Sequence, residues 1–517
     1  MQRKKSPFVL HRSVPIKYVK KPIELSHCKR KLEKIFSKSL DLTFREVGDR
    51  FLIAYLFSVI DFDRLERTVI APLKEYLHED NEEKFEQEPP DRYHRLFTSG
   101  VINLEREWIV IARQMIKGSA VVFERNGTKP ALIMLPQIER RQVMEPEGEK
   151  TVRGPREGFI EDLQVNMGLL RKKLRTPSLV FEEMTIGSIS ETRVAIVYVK
   201  GICDPEIIKE VRDRLSFINI QSVLDTGYLE EFLIDHPSTP LPQAEHTEKP
   251  DKLVAEILEG RVGIIVNGAP SVVIVPTIFT QFIQAAEDHY ENYWYATALR
   301  MIRILGITLA LFLPGFWVAL TTMHQEMLPT PLVLKLAGAR EGVPFPTAVE
   351  AFVMELAFEL LREAGLRLPS QIGPAVSIVG ALIIGQAAVE AGLVSPSLVV
   401  VVAVAGVSSF LIPSYRLSIG LRLLRFVVLF VSAVLGLIGL VLLAILMLVH
   451  LNSMQSYGTP YFEPLSPIKY SQFRDFALRK DWRSKAKDVY NIGLNRAENK
   501  VSPERPAISE MGNYRKE

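Results

Sequence analysis

The sequence predicts an α/β soluble region of two tandem subdomains, followed by an all-α membrane domain of about four transmembrane helices and one amphipathic helix. Three observations carry this. Long uncharged runs fill the last two hundred residues, Ile304 to Met323, Ala391 to Tyr415 and Phe426 to Val449, with a shorter Gly- and Ala-rich run from Gln371 to Val389. Each long run reaches the roughly 20 apolar residues needed to cross about 30 Å of hydrocarbon. The front half holds a repeated pattern of β-rich runs around Asn-Gly pairs. Finally, 24% charged residues and a mean hydropathy of +0.12 describe an average over one polar and one apolar half.

The first 31 residues hold ten Lys or Arg against the single Glu24, and no apolar signal-peptide core follows them, so the amino terminus is expected in the cytoplasm. Cys28 and Cys203 give neither a disulfide framework nor metal-ligand spacing, which fits a reducing compartment.

Residues 32–145 and 146–295 are read as the two soluble subdomains. Gly118, Asn126-Gly127 and Pro136 mark one hairpin, and Gly260, Asn267-Gly268 and Pro276 mark the other, each after a helical stretch, Trp108 to Lys117 and Lys252 to Glu259. Asn-Gly supplies the positive φ angles a tight hairpin turn needs. Between the hairpins, Arg193 to Val199 alternates as a strand and Pro205 to Leu215 follows as a helix capped by Asp204. Four prolines in a polar background make Asp235 to Pro250 a loop.

The chemistry of an enzyme is missing from these patterns. The nine histidines are scattered, none has the i, i+4 spacing of a zinc helix, no Gly-x-Ser-x-Gly elbow occurs, and Gly154 to Gly158 lacks the Lys-Ser/Thr ending of a phosphate loop. No catalytic, cofactor or metal residue is therefore assigned, and no nucleic-acid partner. The basic cluster Arg153, Arg156, Arg171, Lys172, Lys173 and Arg175 reads as a solvated or internally paired face, with anionic lipid or an acidic partner as the alternative.

The membrane domain, 296–450, is expected to cross at about 301–323, 371–389, 393–414 and 423–450, leaving 451–517 as a basic cytoplasmic tail with twelve Lys or Arg against eight Asp or Glu. Basic flanks on both ends call for an even number of crossings. The connection from His324 to Ser370 is net acidic and suits the outer face, whereas Arg416, Arg422 and Arg425 fall outside in a four-span arrangement. Making Val349 to Ala364 a fifth span repairs that and strands the basic tail outside, so four spans are favoured.

Residues 348–364 form the amphipathic helix, with Glu355, Glu359 and Glu363 on one stripe and Phe352, Leu356, Leu360 and Leu361 mostly opposite. Only Arg362 offers a sequence-local partner, so water or cations are expected to bathe the stripe, which in a ring of subunits would line a cation pathway; an interfacial helix is the other reading. Pro314-Gly315 and Gly373-Pro374 read as kinks. Glu390 closes the second span at its cytoplasmic edge and is a candidate because ionisable groups at membrane depth are costly.

The run Arg153, Gly154, Pro155, Arg156, Glu157, Gly158, Phe159, with Asn166 and Leu169 to Arg175, then Pro344-Phe345-Pro346, Glu350, Met354-Glu355, Leu361 to Gly365, Leu368-Pro369, Gly380 to Leu382 and Ser395-Pro396, resembles the GerA family of spore germination receptor A subunits from about residue 40 to 465. The resemblance implies a membrane-bound germinant receptor component of endospores, in the spore inner membrane. It also implies a permease-like B subunit and a lipoprotein C subunit as partners, membrane lipids around the chain, and a homo-oligomeric cation channel opened on nutrient sensing. The paralogous stage V sporulation protein AF shares the architecture. A non-conducting scaffold is the remaining alternative, and a secondary transporter is disfavoured because four spans without membrane-half repeats do not build one.

Overall fold

The structure, a computed structural model, describes residues 23–78, 93, 96–97, 102–127, 129–137, 146, 148–149, 153–368, 380, 385–468, 476 and 478–479. The chain divides into two compact units, Met1–Arg141 with Leu174–Val180 and Gln142–Lys173 with Phe181–Glu517.

The first unit is built on a sheet of β1 (Leu42–Val47), β2 (Phe51–Leu56), β3 (Ile102–Leu104), β4 (Ser119–Glu124) and β5 (Ala131–Met134), in the order β1-β2-β4-β5-β3. β2 is buried along its whole length because both faces are covered, as period-2 alternation allows. Phe51, Ile53 and Tyr55 pack with Leu65, Val69 and Leu73 of the segment that runs from α2 (Phe62–Leu65) through a π-helical turn (Glu66–Ile70) into α3 (Ala71–His78). Leu52, Ala54 and Leu56 pack against α1 (Leu25–Ile35) and α4 (Trp108–Ile116) on the other face.

The second unit repeats that plan. After α5 (Leu163–Lys173), the strands β6 (Leu179–Ile186), β7 (Thr192–Val199), β8 (Glu245–Thr247), β9 (Val262–Val266) and β10 (Val272–Val275) run in the order β6-β7-β9-β10-β8. Renumbered within its own sheet this is the first order again, so the two expected hairpins, β4–β5 and β9–β10, occupy equivalent places in separate sheets. Both pairs are antiparallel, but the turns are not the tight two-residue kind. Only Asn126 (φ 62°) of the first Asn-Gly pair and only Gly268 (φ 95°) of the second adopt positive φ, and the loops are longer than two residues. Between β7 and β9 lie α6 (Pro205–Ser216), capped by the Asp204 carboxylate 2.9 Å from the Glu206 amide, α7 (Gly227–Leu233) and α8 (Pro250–Leu258). The Pro-rich segment read as a loop contains β8, an edge strand defined by its pairing with β10.

Among the described residues the helical region includes α9 (Tyr293–Thr322), α10 (Thr330–Arg340), α11 (Thr347–Arg367), α12 (Pro396–Ser409) and α13 (Tyr415–Ser453). By length and composition α9 and α13 could each cross a membrane. The span expected at 393–414 is shorter than the sequence reading. Pro396 opens its helix and Pro413 stands just beyond its end, so α12 has 14 residues, about 21 Å at 1.5 Å per residue. Most of the span expected at 371–389, including Gly373-Pro374, lies outside the described residues.

The run expected as one span at 423–450 is two helical arms. Gly436 (φ 61°, ψ −146°) is non-helical inside α13. A straight helix would hold Gly420 and His450 about 45 Å apart. Yet a Cβ built on Gly420 comes 2.4 Å from the Pro240 carbonyl, while His450 Nε2 lies 3.0 Å from Oγ1 of the adjacent Thr239. Gly439 likewise faces the Val431 carbonyl, eight residues back, at 2.9 Å from its built Cβ. The chain therefore turns at Gly436, beside His324 at the end of α9, and returns. Met454 to Glu463 then docks on the second sheet's surroundings, the Tyr461 hydroxyl donating to the Pro242 carbonyl at 2.5 Å and the Phe279 amide to the Tyr461 carbonyl at 2.7 Å. Both ends of α13 thus lie at the end of the bundle that carries residues 235–241.

Candidate functional site

Small residues let the bundle close. A Cβ on Gly306 would stand 2.8 Å from Leu411, and one on Gly315 would stand 2.8 Å from both Ser432 Oγ and Val428 Cγ1. Gly315 is therefore the point where α13 approaches α9, a use of glycine suited to apolar helix packing. Pro314, expected to kink, sits buried inside an α9 that continues as helix through it.

Across this bundle runs a ladder of ion pairs. Arg340 of α10 lies 3.2 Å from Glu350 of α11, whose other oxygen accepts from the Ser395 amide at 2.9 Å. One and two turns on, Glu355 meets Arg425 at 2.6 Å and Glu359 meets Arg422. Arg362 turns to Ser409 Oγ and lies 4.2 Å over the Phe410 ring. Glu363 pairs with Arg367 at 2.7 Å on the exposed side of its own helix.

The expectation that Arg362 alone serves the stripe is thus corrected. Partners come from 63 and 70 residues away, and the stripe grades from buried Glu355 to exposed Glu363 rather than being bathed throughout. The second oxygens of Glu355 and Glu359, though buried, make no hydrogen bond among the described residues. Meanwhile Phe352, Val353, Leu356 and Leu360 of α11 are 45–64% exposed, so its apolar side faces outward.

The pairing also fixes direction. Since 355 meets 425 and 359 meets 422, α11 runs antiparallel to the first arm of α13, back toward the end that carries residues 235–241. Glu390 accepts from Gln386 Nε2 at 2.8 Å and is exposed; Gly392, two residues on, faces the Gly342 carbonyl before α11 begins. It therefore sits at the far end of the bundle, not the near edge the four-span order gave it, because α11 adds a return pass that order lacks.

At the near end, a cavity of about 600 Å³ lies between β8 and the turn into α13, with Glu245, His246, Lys252, Arg303 and Arg416 in its wall. Its charges are mutually satisfied. Lys252 bridges Glu149 at 3.0 Å and Glu245 at 2.8 Å. Burial opposes charge on both Glu245 and Lys252, but each holds the other ionised, so the Glu245 pKa falls and the Lys252 pKa rises. His246 Nε2 lies 3.1 Å from Glu230, which also pairs with Arg416, and burial pushes the imidazole down to about 4. Arg303 binds Asp288 at 2.7 Å. Among the described residues no three His, Cys, Asp or Glu side chains are grouped to hold a metal ion.

The stretch Arg153 to Phe159 braces this end. Arg153 pairs with Glu291 at 3.3 Å just before α9, Glu157 with Lys173 at 2.7 Å, and the Phe159 amide donates to the Glu248 carbonyl at 2.7 Å. Gly154 (φ 131°) passes so close to the Tyr290 ring that a Cβ would stand 2.8 Å from it. Pro155, Arg156 and Gly158 complete the connection. Arg171 is fully buried, 5.1 Å over the Phe181 ring, so the basic cluster is in part internally engaged.

Residues 30–489, the two-sheet and helical regions together, match the family described as Bacillus/Clostridium GerA spore germination protein. The chain belongs to the GerA family of spore germination proteins. It is a family member of the germinant receptor A subunit type, 40% identical to spore germination protein KA of Bacillus subtilis (strain 168) over 457 residues, 87% of this chain and 83% of that protein. Spore germination protein A1 of the same organism is 38% identical over 377 residues, 73% of this chain and 78% of the relative. An uncharacterized membrane protein of that organism, YfkQ, is 38% identical over 446 residues, 86% of each. The crystal structure of the N-terminal domain of the A subunit of the Bacillus megaterium spore germinant receptor GerK3 aligns with TM-score 0.39 and 24% identity over 51% of this chain and 99% of that one. The GerA motifs are legible in the sequence, where Arg422 and Arg425 read only as topology signals. Their i, i+3 spacing, about one helical turn like the i, i+4 spacing of Glu355 and Glu359, is the signal in the sequence that could have paired them.

Proposed function

We propose that this GerA family member is a multi-pass membrane subunit of a spore germinant receptor, in the spore inner membrane, working with a permease-like B subunit and a lipoprotein C subunit. The observation that carries the reading is the family match across both halves, 30–489. Membrane insertion is supported by α9, long and apolar enough to span, and by the apolar helical hairpin that the two arms of α13 form. The return of residues 454–463 to the second sheet supports an even number of crossings, with the amino-terminal region and tail on the cytoplasmic side. Thiol probes at Ser6→Cys and Ser502→Cys should then react only after the membrane is opened; reaction of residue 502 from outside ends that reading.

We propose further that the chain forms a homo-oligomer in which the polar side of α11, Glu355, Glu359 and Glu363, faces a cation pathway opened on nutrient sensing. The engagement of Glu355 and Glu359 by arginines of the same chain favours a second reading, a non-conducting scaffold in which the stripe ties helices together, as a stage V sporulation AF-type component could also use it. Reconstitution of the full chain decides. The channel reading expects cation conductance, lost or altered in selectivity by Glu355→Gln with Glu359→Gln and Glu363→Gln in a protein that still assembles. Assembled protein conducting with unchanged selectivity, or never conducting, removes the pore assignment.

A further inference from the structure

We propose that the aromatic ridge formed by Phe217, Tyr228 and Phe232 lies in the headgroup–acyl boundary of the bilayer, so that the second sheet subdomain rests on the membrane surface and is not merely tethered to it. This rests on the membrane reading above.

The ridge begins with α7. Its inner face buries Leu229 and Leu233 completely, while Tyr228 and Phe232, again i and i+4, are 48% and 45% exposed on its outer face. A helix packed on a soluble core normally turns polar residues outward, yet here only Glu231 interrupts the outward aromatics. Phe217, at the C-terminal end of α6, is 83% exposed. Arg214, one turn earlier, donates to the Leu233 carbonyl at 2.6 Å and pairs with Asp235, which sets the end of α6 beside the end of α7.

The position of this corner is what selects the occupant. The chain leaves α7 directly into residues 235–241, and Thr239 bonds His450, the residue that closes the uncharged run Phe426 to Val449. Pro240 touches Gly420 of the opposite arm, and Arg416 in the first turn of α13 pairs with Glu230 on α7 itself. One tie from α7 and two from the segment that follows it therefore hold this corner at the level where the apolar surface of α13 begins. The exposed face of α13, with Leu423, Val427 and Phe430 on one arm and Leu446 and Val449 on the other, continues toward that level. Tyr concentrates at such boundaries because it carries a polar O–H on an apolar ring, and Phe is among the residues that the apolar face of an interfacial helix buries there. A bilayer surface fits an exposed aromatic ridge that adjoins a lipid-facing wall.

The test uses the full chain in phosphatidylethanolamine and phosphatidylglycerol vesicles containing brominated phosphatidylcholine. An environment-sensitive fluorophore is placed on Phe217→Cys, Phe232→Cys, Leu446→Cys as the hydrocarbon reference, or exposed Lys209→Cys as the aqueous one. Native Cys28 and Cys203 are buried. The proposal expects brominated lipid to quench positions 217, 232 and 446 by at least about twofold and to leave 209 unchanged. Quenching at 446 without quenching at 217 and 232 overturns the ridge and leaves the membrane reading standing. Absence of quenching at 446 overturns both. Protection of 217 and 232 from aqueous iodide without lipid quenching would place a protein partner on the ridge and also overturn the proposal.

Discussion

Glu355 and Arg425 meet at 2.6 Å across the α11–α13 seam, with 1% and 2% of their side chains exposed. A buried pair of this kind gains little over an apolar pair, because both charges lose their water, but removal of one partner leaves the other charge stranded. Glu355→Leu or Arg425→Met alone should destabilise the bundle by about 3–5 kcal/mol, since each leaves the other charge buried and unpaired. Glu355→Leu combined with Arg425→Met should recover most of the loss. A double-mutant cycle of unfolding in detergent checks this, and additive single losses would mean that the pair does not couple the helices.

His246 should make the second unit sensitive to acid. Burial depresses its pKa to about 4 from the ordinary 6.5, against the pull of neighbouring carboxylates. A depressed folded-state pKa means that the unfolded chain takes up the proton first. The contribution is fully present above pH 6.5 and is lost as pH falls toward 4, by about 3 kcal/mol at most. The unfolding midpoint of the full chain should fall over that window, and His246→Gln should flatten the fall.

The two thiols should be inert in the folded protein. Burial pushes both Cys28 and Cys203 up to about 12, with Glu24 and Asp204 adding to it. Alkylation at pH 8 should run at least about a hundredfold slower than in denaturant. Raised acid pKa values also mean that this contribution to stability holds below pH 9 and drains away as pH climbs toward 12. Rapid native labelling of either cysteine would show that its packing is open.

The sheets were readable because their landmarks are local. Gly118 and Gly260 both take positive φ, Asn-Gly follows each central strand, and Pro136 and Pro276 stop the next one. β8 was hidden because three residues, Glu245–Thr247, become a strand only through β10. The ion-pair ladder was hidden because its partners are 63 and 70 residues apart, and no helical periodicity within α11 points to them. Gly436 was hidden for a different reason. Within a long apolar run, glycine at a turn looks the same as glycine at a helix contact, and Gly439 three residues later is such a contact.

The turn at Gly436 gives the most direct prediction. If α13 doubles back, spin labels on the exposed positions Leu423→Cys and Leu448→Cys should lie within about 20 Å of each other, whereas 25 residues of straight helix would separate them by about 37 Å. The turn also depends on glycine itself, since φ 61° with ψ −146° is a conformation essentially closed to other residues, and a Cβ there would stand 2.6 Å from His324 Cε1 and 3.0 Å from Met323 Cβ. Gly436→Ala should therefore cost about 2 kcal/mol or more and broaden the label distances toward the extended value. Adding His324→Ala removes the closer collision and leaves the Met323 contact and the backbone strain, so it should rescue only part of the loss. Full rescue would assign the requirement for glycine to crowding alone, and a single distance near 37 Å in the unaltered chain would mean that the two arms form one continuous helix.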